Sequence, residues 1–362
     1  MSKVRQRKRD IVNSFPGGSE SRSKNVDGLE VINRNAAFTG PKSISVGVDA
    51  ARDRRRPILM AWNLSFNTKH SSRILDSTSI HEMDRGPQRL IVIGGGHIDP
   101  EFGQLFRRLW RHVTVIQSGK QLLPREDPEI ADAEVKIVGE EGIEVLLNAH
   151  ASSIEASKSD RFALFLICSI NCSEVEVEGS HILLAPGRTP NTDELRLEKA
   201  GSESDARGHL KVSSTLQTST PQIYALGNCH GGPAFTHISY DNFRIIKANF
   251  IDHSPSTLTT ADRMVPYVIY IDPQLGHIGL HEAEANVKTA TMAMAYVARA
   301  LETDETRGMM KAVVDSESGQ ILGFTCLGIE GGEIMSIVQV AMMGTLPYQM
   351  LQQAVFAHPH AS

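Results

Sequence analysis

The residues of this chain that could do chemistry begin with 89–119, RLIVIGGGHIDPEFGQLFRRLWRHVTVIQSG. An apolar run, Leu90 to Ile93, leads into Gly94-Gly95-Gly96. Glycines at that place permit a tight turn after a strand and let the backbone approach a pyrophosphate, whose charge the next helix N-terminus stabilises. A dinucleotide fingerprint, G-x-G-x-x-G, has glycine at its sixth place because helix and strand pack closely there. This chain has Asp99, followed by Pro100. Asp99 is expected to crowd the turn and to repel a pyrophosphate, whereas proline is accepted in a first helical turn. Gln117 stands at the end of the next strand, where an acidic residue would read ribose hydroxyls. Its amide oxygen can accept one hydrogen bond but selects neither NAD nor NADP.

Two further features offer reactive atoms. Cys168 and Cys172, in CSINC, lie at an expected hairpin tip without a helix N-terminus to activate a thiol, so they read as ordinary thiols. A bridge between them requires the hairpin to set them across from each other. His358, in VFAHPH, follows an amphipathic segment, and spacing alone makes it a surface group.

The elements that must position these residues follow from periodicity. A strand (Leu90–Ile93), a helix (Pro100–Trp110) and a strand (Val113–Ile116) form a βαβ unit of the right crossover length for parallel strands. A second helix follows, with Asp127 as N-cap, Pro128 at its first position and Gly142 as its stop, and then the strand IEVLLNA. RFALFLIC and EVEVEGSHILLA read as a hairpin, QIYALGN as a strand, and GGPAFTHISYDNFRIIKANFID as a glycine-rich loop entering a helix. From Arg263 onward, strands alternate with amphipathic helices in an α+β pattern. At the other end, residues 29–48 show two short β pieces around Gly40-Pro41, and residues 50–73 one strand with irregular flanks. MSKVRQRKRD is basic, but Val4, Ile11, Val12 and Phe15 recur at helical spacing, which predicts a solvated helix ended by the loop PGGSESRSKNVDG.

With 362 residues the chain divides into two or three domains. A net charge of -5 gives no footprint for nucleic acid. Four scattered cysteines make neither a disulfide framework nor a zinc pattern, which points to a reducing cytoplasm. No apolar run reaches the roughly 20 residues of a membrane span, and no signal-peptide core is visible.

Taken together, RLIVIGGGHIDPEFGQLFRR, QLLPREDPEI, APGRTPN, QIYALGNCHGGPAFTHIS, PYVIYIDPQLGHIGLHEAEA, ETRGMMKAVVD and AVFAHP resemble the class I pyridine nucleotide-disulfide oxidoreductases, in the branch of dihydrolipoamide dehydrogenase and mercuric reductase. The resemblance implies an α/β fold: a Rossmann-like NAD(P)-binding domain, a partial FAD-binding domain and a C-terminal α+β dimerisation domain. The implied segments are 1–87, a remnant of the FAD domain; 88–186, the NAD(P) domain; 187–261, the central FAD segment; and 262–362, the interface domain. The implied chemistry runs from NAD(P)H to FAD, to a disulfide, and then to a small-molecule disulfide or metal substrate in complete relatives. Gly94, Gly96 and Glu101 then belong to the NAD(P) site, Gln117 reads the ribose, and His97 lies between nicotinamide and flavin. Gly187 closes the domain. Gly227 and Asn228 match the second flavin motif, Thr236 passes the flavin ring, and His358 is the acid/base that reaches the partner's thiols in a homodimer.

The departures from that pattern carry their own expectation. The family's FAD phosphate loop and C-x-x-x-x-C pair have no counterpart here, the flavin Asp is Asn228, and the Glu expected five residues after His358 would fall one place beyond Ser362. The chain therefore reads as truncated at both ends and catalytically impaired. Its alternative is a non-catalytic nucleotide-binding or dimerisation module, without a nucleic-acid or membrane partner.

Overall fold

The computed structural model describes residues 2–30, 32, 34–47, 65–66, 72–109, 111–156, 164–170, 173–185, 187–252, 255–261, 263–284 and 287–358. The chain divides into two compact units. One combines Met1–Arg5, Pro57–Gly187 and Pro266–Ser362; the other combines Gln6–Arg56 and Arg188–Val265.

In the first unit, five parallel strands stand in the order Ile74–Leu75, His181–Leu184, Arg89–Ile93, His112–Ile116, Glu144–Leu146. The central run is apolar at every position because a parallel sheet is covered on both faces, and Ile91, Val92 and Ile93 are fully buried. The helices Ile98–Arg108 and Pro128–Glu140 make the crossovers; Phe106, Ile130 and Ile137 bring them onto the face that carries Leu90 and Val92. Ile91, Ile93 and Ile116 bury the other face against Leu166, Cys168 and Val177. These last three belong to the strands Leu164–Ile170 and Ser173–Gly179, which pair as an antiparallel hairpin and are joined by Ala149–Ala156.

The run EVEVEGSHILLA proves to be two strands in different sheets. Ser173–Gly179 stays in the hairpin while His181–Leu184 enters the parallel sheet. The passage between them needs Gly179, where a Cβ would lie 2.7 Å from Ile91 Cδ1. Cys168 is buried, and burial pushes its thiol pKa up; Cys172 lies outside the described residues.

The same unit carries an antiparallel sheet, ordered Tyr267–Ile269, Gln274–Gly279, Ile321–Gly328, Met309–Asp315, Val287–Ala293. The helix Gly331–Met343 covers it with Ile334, Met335 and Val338. Gly276 allows that approach, since a Cβ there would meet the Gly331 carbonyl at 2.5 Å. Ile269, Leu275 and Leu327 share one apolar core with Leu90 and Phe106, so the two sheets of this unit are packed together.

The second unit holds the hairpin Ala36–Gly40 with Ser43–Val46 and the helix Thr236–Phe250. QIYALGN, expected as a strand, is not one. It makes a single bridge, Gln217 to Tyr224, and turns at Gly227–His230. A strand needs a continuous ladder, and its neighbour, residues 216–218, supplies only this one bridge.

The first helix also departs from expectation. It runs from Ser2 to Lys24, straight through the Pro16-Gly17-Gly18 stop signal. Proline removes one donor and each glycine costs about 1 kcal/mol, which weakens a helix without forbidding it. The strand expected within 50–73 lies almost entirely outside the described residues, apart from Ser65–Phe66. Among the described residues no helix is long and apolar enough to cross a membrane.

Candidate functional site

The Gly94 loop is where the fold brings most of the expected site residues together. Gly94 turns out of the strand at φ +145° while its N–H donates to the Ile116 carbonyl at 3.0 Å. The space that its missing side chain leaves is already occupied: a Cβ on Gly94 would lie 2.6 Å from Asp99 Oδ1, and one on Gly95 would lie 2.4 Å from Gln117 Cδ.

Asp99 is fully buried, and its Oδ2 accepts the Gly96 N–H at 2.6 Å. That is the bond a phosphate oxygen would accept at a helix N-terminus. Burial pushes the Asp99 carboxyl up to about 8, against the opposing pull of the Gly96 N–H. Gln117 is buried as well; its Nε2 donates to the Gln121 carbonyl at 3.1 Å, which folds the side chain over the loop.

The helix Ile98–Arg108 points its other expected residue elsewhere. Glu101 Oε1 accepts the Tyr270 N–H at 2.8 Å, which fastens this helix to the antiparallel sheet, and burial raises the Glu101 pKa. His97 stacks on Tyr267 with centroids 5.3 Å apart. Burial, and then the charge of Arg125, lower its pKa.

The remaining expected residues are not drawn into this loop. Gly187 sits at φ +134° with open space at its Cβ position. Gly227, Asn228 and Thr236 belong to the second unit, at the Gly227–His230 turn and the first residue of the Thr236–Phe250 helix. Asn228 and Thr236 are exposed. His358 is exposed and makes no hydrogen bond or ion pair among the described residues.

Sequence reasoning missed a second polar cluster in the same unit. Behind Tyr267 the rings continue: Tyr267 stacks on His277 at 4.9 Å, and His277 on His281 at 4.0 Å and 14°. The Tyr267 hydroxyl donates to Glu126 Oε1 at 2.5 Å. Burial, and then the neighbouring His281, push His277 down to about 4, while burial lifts Glu126 to about 7.

Beside the rings lies Lys311, whose buried ammonium meets Asp127 Oδ2 at 2.8 Å, Glu282 Oε2 at 2.6 Å and the Glu129 carboxylate. Burial disfavours that charge, but the three carboxylates more than offset it and hold the Lys311 pKa above its ordinary value. Asp127 does occupy the N-cap position of Pro128–Glu140, yet its side chain makes no cap bond and serves Lys311 instead. The available signal was PREDPEI together with LGHIGLHE, which hold four acids and two histidines.

The family description "Pyridine nucleotide-disulphide oxidoreductase" matches residues 54–242, and the description of that family's dimerisation domain matches residues 265–362. The chain belongs to the pyridine nucleotide-disulphide oxidoreductase family. Among its relatives is the probable pyridine nucleotide-disulfide oxidoreductase RclA of Escherichia coli (strain K12), 28% identical across 99% of this chain and 82% of that protein. The solved structure titled HOCl-induced flavoprotein disulfide reductase RclA superimposes with a TM-score of 0.84, covering 99% of this chain and 83% of that one. Dihydrolipoyl dehydrogenase of Thermus scotoductus is 30% identical, over 97% of this chain and 77% of its own length. Mercuric reductase of Lysinibacillus sphaericus is 32% identical, over 90% and 60%.

Measured against the cofactors of such oxidoreductases, the described residues fit poorly. The cradle that a pyrophosphate would enter at Gly94 and Gly95 holds Asp99 and Gln117. For FAD, the exposed turn at Asn228 is present, but the described residues hold no second glycine-rich strand-to-helix loop for its phosphates.

Proposed function

We propose that this chain is a disulfide oxidoreductase-type protein whose NAD(P) loop is closed by its own side chains, and which does not by itself turn over NAD(P)H with a disulfide or mercuric substrate. The observation that carries the reading is the buried Asp99 carboxyl on the Gly96 N–H. An incoming pyrophosphate must displace that bond and bring its own charge beside an acid, at a cost in affinity.

In this reading residues 88–186 are an NAD(P)-type domain, with Gly94 and Gly96 at the pyrophosphate, Gln117 at the ribose and His97 facing the nicotinamide. Glu101 is held by the Tyr270 backbone. Residues 1–87 and 187–261 belong to an FAD-type domain, with Gly187 at the boundary and Gly227, Asn228 and Thr236 toward the flavin. Asn228 brings no charge to the ribityl chain where an Asp is usual. Residues 262–362 form a homodimer, and His358 is the acid/base for thiols across it. Within the chain as it stands no C-x-x-x-x-C pair supplies those thiols, so electrons on a flavin have no acceptor here. A reducing cytoplasm suits the free cysteines Cys168, Cys229 and Cys326.

The test is equilibrium binding of NADH and NADPH to the purified chain, with NAD(P)H oxidation assayed in the presence of added FAD and lipoamide. Weak binding that Asp99→Gly strengthens, and no turnover, support the reading. Tight wild-type binding with turnover lost in His358→Ala overturns it. A second reading, a non-catalytic dimerisation module, draws on the exposed Val340 and Met343 of Gly331–Met343. Dimeric elution without a flavin absorption band favours it.

A further inference from the structure

The acid and imidazole cluster behind Tyr267 holds polar atoms that the fold leaves without partners. Glu126 Oε2 and His281 Nδ1 are both buried and make no hydrogen bond. Glu126 as a whole is 4% exposed, and its other oxygen is taken by the Tyr267 hydroxyl. A buried polar atom left unpaired costs about 1–3 kcal/mol, so two such atoms in one cluster call for a partner.

The surroundings specify the partner's charge. Lys311 brings one ammonium against the carboxylates of Asp127, Glu129 and Glu282, so negative charge is already in excess before Glu126 is counted. Glu284 adds another carboxylate, which accepts the His281 backbone N–H at 2.8 Å. An anion is excluded by repulsion, and a cation is attracted.

The donor atoms specify its class. One atom each from Glu126, His277 and His281 lie within 4.8 Å of one another. We infer that Glu126, His277 and His281 form a binding site for a divalent transition-metal ion of the zinc type. Two imidazoles and a carboxylate suit zinc and its first-row neighbours better than calcium or magnesium, which prefer oxygen-only cages. Bonds of about 2.0–2.2 Å at tetrahedral angles require donor separations near 3.4 Å, which the two imidazoles reach only by rotating out of their present stack.

Both ring nitrogens of His277 are already engaged. Its Nε2 donates to the Gly279 carbonyl at 3.1 Å and its Nδ1 faces the Thr325 hydroxyl at 2.8 Å. A hydroxyl can donate or accept, so the ring can change tautomer and donate Nδ1–H to Thr325, which frees Nε2 for the ion once the ring gives up its bond to the Gly279 carbonyl. A second-shell bond of that kind commonly orients a metal-bound histidine. Asp127 Oδ1 lies 4.0 Å from His281 Nδ1 and adds a further carboxylate oxygen to the cluster.

The experiment uses the full chain, stripped with a chelator and then exposed to Zn(II) or Co(II). Stoichiometric zinc retained through gel filtration is expected, as is a visible Co(II) band without the near-ultraviolet band of a cobalt thiolate. Glu126→Gln and His281→Asn should each weaken Zn(II) binding at least about tenfold. Glu126→Gln is nearly isosteric and keeps a partner for Tyr267, so it decides the matter even if His281→Asn does not fold. Absence of retained zinc, a thiolate signature, or zinc binding unchanged in Glu126→Gln overturns the inference.

Discussion

Two polar clusters of the same unit treat their unsatisfied groups in opposite ways. At the Gly94 turn the backbone offers an N–H to an anion, and the chain answers that donor with its own Asp99 Oδ2, with Gln117 over the loop, although Asp99 Oδ1 stays unpaired. Behind Tyr267, carboxylates outnumber the one ammonium, and Glu126 Oε2 and His281 Nδ1 have no answer at all. The difference teaches that a glycine-rich turn does not by itself make a nucleotide site. What matters is whether the atoms it presents are already paired, because a ligand is rewarded only for bonds that the apo protein lacks.

The cluster behind Tyr267 depends most on the Lys311 ammonium. Lys311→Met removes a buried ammonium from three carboxylates, and the protein should lose roughly 3–5 kcal/mol of stability by urea denaturation. If instead stability is unchanged, the cluster is not held by that charge.

Glu134 provides a control for what an unpaired buried acid costs. Both of its oxygens are buried without a hydrogen bond, and burial, followed by the charge of Glu141, pushes the carboxyl up to about 8. A carboxyl whose folded pKa is raised binds more protons when folded, so its contribution is full below the ordinary value of 4.5 and is lost as pH rises through about 8. Glu134→Gln should therefore stabilise by roughly 1–3 kcal/mol at pH 8.5, and by much less at pH 5, in denaturation curves of equal slope.

At the loop, Asp99→Gly frees the Gly96 N–H and should tighten NADH binding about tenfold, or 1.4 kcal/mol, by fluorescence titration. Because burial holds the Asp99 carboxyl near 8, any wild-type binding should weaken further as pH rises past that value and a full charge develops. Gln117→Ala should have the smallest effect, a gain of a few-fold, since it removes bulk over Gly95 but no charge. A loss of affinity in either variant would mean that these side chains contact the nucleotide rather than displace it.

The βαβ unit was legible because its signals are local and mutually consistent: an all-apolar strand, a helix entered at Pro100, and a glycine turn between them. The Pro128–Glu140 helix was equally plain from Asp127-Pro128 and Gly142. QIYALGN misled because strand propensity says nothing about whether a neighbouring ladder exists. The division of EVEVEGSHILLA between two sheets depends on how closely Gly179 passes Ile91, a long-range contact. At the candidate site, Gly94, Gly96, Asp99 and Gln117 could be named from spacing. That Asp99 would take the Gly96 N–H, and not merely crowd the turn, could not.

By itself, then, the sequence determined the family, the parallel βαβ architecture and the location of the glycine turn, since each rests on short-range pattern. Only the tertiary structure decided that His277 and His281 are neighbours. Four residues apart on an uninterrupted strand they would lie far from stacking distance; Gly279, at φ +85° and with no room for a Cβ beside the Leu322 carbonyl, bends the chain so that the rings meet at 4.0 Å. Packing of the antiparallel sheet against the Pro128–Glu140 helix then brings Glu126, Asp127 and Lys311 to the same place. Charges that far apart in sequence have no local signature, because it is burial together, not proximity along the chain, that couples them.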